Sequence, residues 1–299
     1  MSRDPKSLSR QIKWRWKNLR GALAAPLAYP PGHFYSPVTS PSEIERLYRD
    51  PAAAPAPLEL AGIAINRDAQ LALWESWRGF LAGPRPGAGE GCRYRPVNDQ
   101  YGLGDATVQN CILRHARPRR IIEVGSGHSS AAMLDTIDRD LGGDVRCTFI
   151  DPHPQRLVSV LRAGDMEHCT IIASGIQDAD PALVDALEAD DLLFIDSTHI
   201  VKTASDVVWD LFELLPHVKS GVYVHFHDMF WPFEYPAAWV RDMNLSWNEL
   251  YAVRAFLSYN SAFEIVFFGD YLWKTARAAV NAAAPDLRDL GGGLWLRRR

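Results

Sequence analysis

Asp196 and His199 in the string FIDSTH, and His225, His227 and Asp228 in YVHFHD, bring together the side chains most able to move a proton near neutral pH or to hold a divalent ion. Each string begins apolar and ends polar, as does a buried strand whose carboxyl end opens onto a ligand. A period of two along a strand sets His225 and His227 on one face, with Asp228 on the other if the strand persists. His225 lies deeper and is expected to be structural, whereas His199 and His227 are the expected working imidazoles. The remaining histidines, among them His115, His128, His153 and His217, read as surface, helix-end or cap residues.

A second constellation precedes these residues. In RRIIEVGSGHSSAAM, residues 119–133, a β-branched run leads into Gly125, Ser126 and Gly127, then Ser129 and Ser130 ahead of a helix-forming stretch. Glycine permits a sharp turn and a close approach of ligand to backbone, and a helix start offers unpaired N–H groups and the positive end of a dipole. A dinucleotide site would carry a third glycine where this chain has Ser130. Glu123, two residues before Gly125, would repel a pyrophosphate but suits a cation, and Asp151, ending the next strand, can accept hydrogen bonds from ribose hydroxyls. A nucleoside bearing a sulfonium in place of phosphates fits both acids; an NAD-dependent oxidoreductase on a similar sheet is the alternative.

Positioning such groups requires alternating strands and helices. Apolar, β-branched runs predict strands over 121–124, 145–150, 170–173, 191–195 and 222–226, with helices over 104–116, 155–163, 181–188 and 204–215 between them. That alternation implies a parallel sheet with right-handed crossovers. Beyond it the pattern predicts a long helix over 239–257, a strand over 264–268, a helix over 272–283 and a last strand over 294–296, the two late strands forming an antiparallel addition at the far side of the sheet. Residues 1–97, punctuated by proline-rich stretches at 50–57 and 83–91, read as an amino-terminal helical cap and linker, and residues 98–299 as the α/β domain. Leu71, Trp74, Trp77 and Leu81 recur at helical spacing and are expected to form core contacts within that cap.

Hydrophobic residues make up 47% of the chain and charged residues 23%, enough apolar surface for a sizeable core. The net charge of −4 lacks the basic footprint of a nucleic-acid binder, and no run approaches the roughly 20 apolar residues that span a bilayer. The four cysteines lack paired metal spacing, and Cys111 and Cys147, in apolar surroundings, read as buried thiols of a reducing compartment; the expected location is cytoplasmic. The basic run from Trp14 to Arg20 is expected to form a helix that docks on the protein or on a partner copy, making the cap a candidate homodimer surface.

The glycine motif IIEVGSGHSS at 121–130, Asp151 and the ending GGGLWLRRR at 291–299 make the chain resemble the class I S-adenosylmethionine-dependent methyltransferases, and within that class the longer strings GHFYSP at 32–37, FIDSTHIVKTASDV at 194–207 and YVHFHDMFWPFEYP at 223–236 resemble a bacterial family of small-molecule enzymes often associated with natural-product or saccharide tailoring. The likeness runs from about residue 98 to the end of the chain. It implies a Rossmann-like α/β fold, a seven-stranded sheet with a reversed last strand. It implies adenosylmethionine as donor, bordered by Glu123, Gly125, Ser126, Gly127 and Asp196, with its ribose on Asp151 and Gln177 on the adenine side. The methyl group would pass to an oxygen, hydroxyl or carboxyl, of a small molecule, natural product, sugar or peptide; N-methylation is the other use of the same donor.

Asp196, His199, His227 and Asp228 fall in turn where the catechol-type O-methyltransferases hold an aspartate, a lysine base and an Asp-Asn pair completing a metal site. The resemblance therefore implies Asp196, His227 and Asp228 as ligands of a divalent ion, with histidine shifting the preference toward softer metals. It makes His199 a base, and a base with a pKa near neutrality suits an acidic hydroxyl, a carboxylate or a metal-bound hydroxyl. Without metal, His199 or His227 would deprotonate the acceptor while Asp196 or Asp228 orients it. Tyr35 and Tyr101 are expected to reach over the donor, and Phe230, Trp231, Phe233 and Tyr235 to wall an apolar acceptor pocket.

Overall fold

The computed structural model describes residues 12–13, 16, 19–21, 23, 28–48, 55–98, 100–243 and 245–299. Seven strands, β1 (Arg120–Val124), β2 (Arg146–Ile150), β3 (Cys169–Ile172), β4 (Leu192–Ile195), β5 (Tyr223–Phe226), β6 (Phe263–Phe268) and β7 (Leu294–Arg298), form one sheet in the order β3-β2-β1-β4-β5-β7-β6. The first five run parallel, and β7 pairs antiparallel with both β5 and β6. This is the expected Rossmann-like sheet with a reversed last strand. All residues of β4 and β5 are buried, which is why both read as unbroken apolar runs. From β1 the chain moves outward to β2 and β3, then returns past β1 to lay down β4 and β5. That reversal opens a crevice at the carboxyl ends of β1 and β4, where such sheets bind ligands.

Several expected helices are shorter or divided. The span 204–215 runs as Asp206–Trp209 and then a wider turn, Asp210–Leu214; the span 181–188 is a tight 3₁₀ turn, Pro181–Ala186. The long helix expected over 239–257 is two helices, Ala237–Arg241 and Glu249–Leu257. Its break has a physical cause at Asn248: the Asn248 side chain accepts from Val201 N–H at 2.6 Å, and the backbone N–H groups of Asn248 and Glu249 donate to the His199 carbonyl at 3.1 and 3.2 Å. Backbone groups committed to the loop after β4 cannot continue a helix from residue 241.

The chain divides into two units, one of residues Ala54–Pro236 and Trp247–Arg299, the other of Met1–Ala53 and Ala237–Ser246. The expected boundary after residue 97 is therefore displaced, and residues 54–97 cluster with the sheet. Trp74 and Trp77 lie with ring centroids 5.8 and 5.1 Å from Phe267 of β6, and Gln70 accepts from Phe268 N–H at 2.8 Å. Helical spacing reveals an apolar face but not what covers it, and here β6 does. Further along, the buried Arg93 guanidinium pairs with Asp135, Asp138 and Asp165 at 3.1, 2.7 and 2.5 Å, pinning the segment that leads into the site.

Within the smaller unit, Ser40 and Glu43 cap the helix Pro41–Leu47 reciprocally, and the Arg241 guanidinium lies 5.9 Å from the Tyr48 ring. Tyr35 packs against Tyr29 and Phe34 there, at 5.0 and 4.4 Å. The expected basic helix from Trp14 to Arg20 lies largely outside the described residues. Among the described residues no helix is long and apolar enough to cross a membrane, and all four cysteines are free.

Candidate active site

The glycine corner after β1 is built from short-range bonds. Gly125 has φ +80°, and a Cβ at this position would collide with the Asp196 carbonyl at the end of β4, so only glycine fits. Asp151, at the end of β2, accepts from the Ser126 backbone N–H at 3.0 Å and its hydroxyl at 2.7 Å, and from His153 N–H at 2.7 Å. The carboxylate stays half-buried with acceptor capacity left over, as a ribose-binding acid requires. Gln177 donates to the Ala204 carbonyl at 3.1 Å.

Glu123 is placed differently from the expectation. It is fully buried, and its two oxygens accept from the hydroxyls of Ser129 and Ser130, each at 2.5 Å. Burial pushes its carboxyl up to about 8, against the pull of the two serines. Glu123 therefore shapes the corner from beneath instead of bordering a ligand. Ser130, standing where a third glycine would be, also accepts from Gly127 N–H at 3.0 Å, so the serine closes the turn that the glycine would only have allowed.

At the ends of β4 and β5 the structure brings Asp196, His199, His227 and Asp228 together. His199 is buried, has φ +61° and directs Nε2 between two carboxylates, 3.6 Å from Asp196 Oδ1 and 3.3 Å from Asp228 Oδ2. β5 ends at Phe226, and Asp228 takes φ +56°; the strand alternation expected for Asp228 no longer applies, and its carboxylate lies 3.6 Å from His227 Nε2 as well. His225 is buried and stacked on Phe194 with centroids 4.0 Å apart, and burial together with the neighbouring His227 holds it well below the ordinary imidazole range. It is the structural histidine expected.

Sequence reasoning missed the partner of His199. Its Nδ1–H donates to Glu249 Oε2 at 2.7 Å, from a buried carboxylate at the start of the helix Glu249–Leu257. Burial alone would lower the His199 pKa, but the Glu249 bond and charge, with Asp228 and Asp196 behind, outweigh it and raise it to about 9. The expectation of a base near neutrality is corrected accordingly: at pH 7 the ring is an imidazolium. Only an acid at the head of a helix signals Glu249 in the sequence, and such acids ordinarily face solvent. Asp105 was missed too; burial pushes it up to about 7 although His227 opposes the shift.

The expected metal ligands Asp196, His227 and Asp228 are neighbours, yet among the described residues no three His, Cys, Asp or Glu side chains are grouped to hold a metal ion. The reason is steric and electrostatic. The His199 ring, itself cationic, lies between the two carboxylates that would have to share the ion. The residues present do not fit a divalent metal in this arrangement.

Tyr101 is buried at the ends of β4 and β5, its ring centroid 5.1 Å from His227 and 6.4 Å from Phe194. Beyond His199 stands Trp247, with ring centroids 4.4 Å apart, and Trp247 meets Tyr235 edge-on at 6.0 Å. Of the expected aromatic wall, Trp231 and Phe233 turn inward and pack with Phe268 of β6, so they serve the core and not an acceptor pocket.

A family model described as a methyltransferase domain matches residues 122–229. An uncharacterised protein of Archaeoglobus fulgidus is 30% identical over 166 residues, covering 54% of this chain and 74% of that protein. Similar solved structures include an SAH-bound methyltransferase of Podospora anserina, with 15% identity, coverage of 87% of this chain and 97% of that one, and a TM-score of 0.42. Another is an O-methyltransferase of Streptomyces achromogenes involved in tomaymycin synthesis, solved with SAM, with 14% identity, coverage of 77% and 89%, and a TM-score of 0.41.

Proposed function

Because the chain belongs to the class I S-adenosylmethionine-dependent methyltransferases, we propose that it methylates an oxygen of a small hydroxylated acceptor, a natural product, sugar or short peptide, with His199 as the base. The observation that carries this reading is the 2.7 Å bond from His199 Nδ1 to the buried Glu249 carboxylate. An amine with its lone pair free attacks without help, whereas a hydroxyl must lose its proton as it attacks. A buried carboxylate that fixes the imidazole and leaves Nε2 facing the site is an arrangement for taking that proton.

The donor, when bound, supplies a methyl group on a positively charged sulfur that leaves as a neutral thioether. The chain's residues do the rest. The Gly125–Gly127 turn lets the donor approach the backbone, and Asp151 receives hydroxyl donors. Neutral His199 takes the acceptor proton at Nε2, and Asp196 and Asp228, at 3.6 and 3.3 Å, stabilise the imidazolium that results. A base raised to about 9 is stronger than one near neutrality, which brings less acidic hydroxyls within reach; the cost is that few rings are neutral at pH 7.

A mass-spectrometric screen of hydroxyl, carboxyl and amine acceptors with the full chain tests the reading. Gain of one methyl group on hydroxyl compounds, abolished in His199→Ala, is the expected result. Methylation confined to amines would remove the oxygen assignment.

A further inference from the structure

One polar group of the site has no place in the proton transfer described above. The Tyr101 hydroxyl is buried and forms no hydrogen bond among the described residues, although its backbone is tightly held: Asn98 Oδ1 accepts from Tyr101 N–H at 2.7 Å, and the Tyr101 carbonyl accepts from the Tyr94 hydroxyl at 2.8 Å. Packing against Tyr94, Phe194 and His227 confines the ring as well. An interior hydroxyl held this rigidly and left unpartnered is unusual, since buried polar groups are nearly always satisfied. Acids that act on it electrostatically include Glu123 of β1 and Asp196 after β4, the strand ends flanking the crevice, together with Asp105. Burial and these acids hold the phenol neutral, well above its ordinary ionisation range. Its oxygen keeps lone pairs that can face a cation or a polarised C–H.

The donor corner follows β1 and the His199 cluster follows its neighbours β4 and β5, so the methyl group has to pass at the carboxyl ends of these adjacent strands. We propose that the Tyr101 hydroxyl contacts the sulfonium methyl of the donor, so that the site tells the charged donor from its neutral thioether product. The proposal rests on the donor reading given above and names the residue that recognises the reactive group. It also assigns a consequence: the contact is lost once the methyl has gone, which favours release of the product.

The test is calorimetric binding of adenosylmethionine and adenosylhomocysteine to the full-length wild type and to Tyr101→Phe. The expected outcome is a loss of about fivefold in affinity for adenosylmethionine, with adenosylhomocysteine affinity kept within about twofold, the latter also showing that the variant is folded. Equal loss for both ligands, or no loss for either, overturns the proposal. A second measurement needs no variant: the methyl proton resonance of carbon-13-labelled adenosylmethionine should move downfield when it binds the wild type, and no downfield movement counts against the contact. If the wild type binds neither ligand, it is the donor reading that fails.

Discussion

The donor corner and the strand-end cluster hold similar numbers of charged and polar side chains but treat them in opposite ways. In the corner the acids are satisfied by neighbours close in sequence: Glu123 by Ser129 and Ser130, Asp151 by Ser126 and His153. At the strand ends the groups come from distant elements, two residues sit in left-handed backbone, and Glu249 Oε1, His227 Nδ1 and the Tyr101 hydroxyl find no hydrogen-bond partner among the described residues. One region is shaped before a ligand arrives, with Asp151 keeping acceptor capacity for it, and the other holds several charged and polar groups in reserve. Binding a common donor needs a rigid, pre-formed corner, whereas moving protons needs groups whose ionisation responds to what enters.

The sharpest way to break the corner is Gly125→Ala. The methyl group would meet the Asp196 carbonyl at a position with φ +80°, so strain and overpacking together should cost about 3 kcal/mol, read as a large fall in Tm and loss of adenosylhomocysteine binding. A folded variant with normal affinity would show that the corner is less rigid than described.

The cluster is tested next through Glu249→Gln. His199 should fall from about 9 toward its ordinary value, visible by NMR titration of the ring, and the plateau turnover should drop about tenfold or more while the acid limb of the pH–rate profile moves to lower pH. The stability effect has a definite sign. His199 is raised on folding, so its contribution is fully present below the unfolded value near 6.5 and is lost as pH rises through about 9. Wild-type Tm should accordingly lose this contribution over that window, and the Gln variant should show less of the decline.

Smaller effects sharpen the contrast. Removing one hydroxyl in Ser129→Ala strips the buried Glu123 of one donor and should lower Tm by a few degrees, from about 1 kcal/mol, while changing donor affinity little. A large loss of affinity would return Glu123 to the ligand. The smallest expected effect is that of a chelator, which should leave both donor binding and turnover unchanged; restoration of lost activity by a divalent ion would show that His199 yields its place to a metal.

Residues joined by short loops were legible in the chain: the β1 run, the glycine turn, the acid ending β2, and the strands that end in Asp196 and lead to His227. Their geometry depends on neighbours within about a turn or one strand, and amino-acid type is enough to predict it. Even there Glu123 misled, because its two serine partners follow it so closely that a buried bond and a ligand contact look alike in sequence. The tryptophan stripe was read correctly as an apolar face, but its partner β6 lies near the other end of the chain.

By itself, then, the sequence determined the α/β order, the nucleoside-type corner and the identity of the acids and imidazoles at the strand ends. Only the tertiary structure decided what those groups do. It brought Glu249 across fifty residues to His199, and it turned Asp228 back toward both histidines through a left-handed residue. A pKa is set by burial and by charges within a few ångströms, and these depend on which distant segments meet. That is why a base expected near neutrality stands at about 9, and why an imidazole lies where a metal was expected.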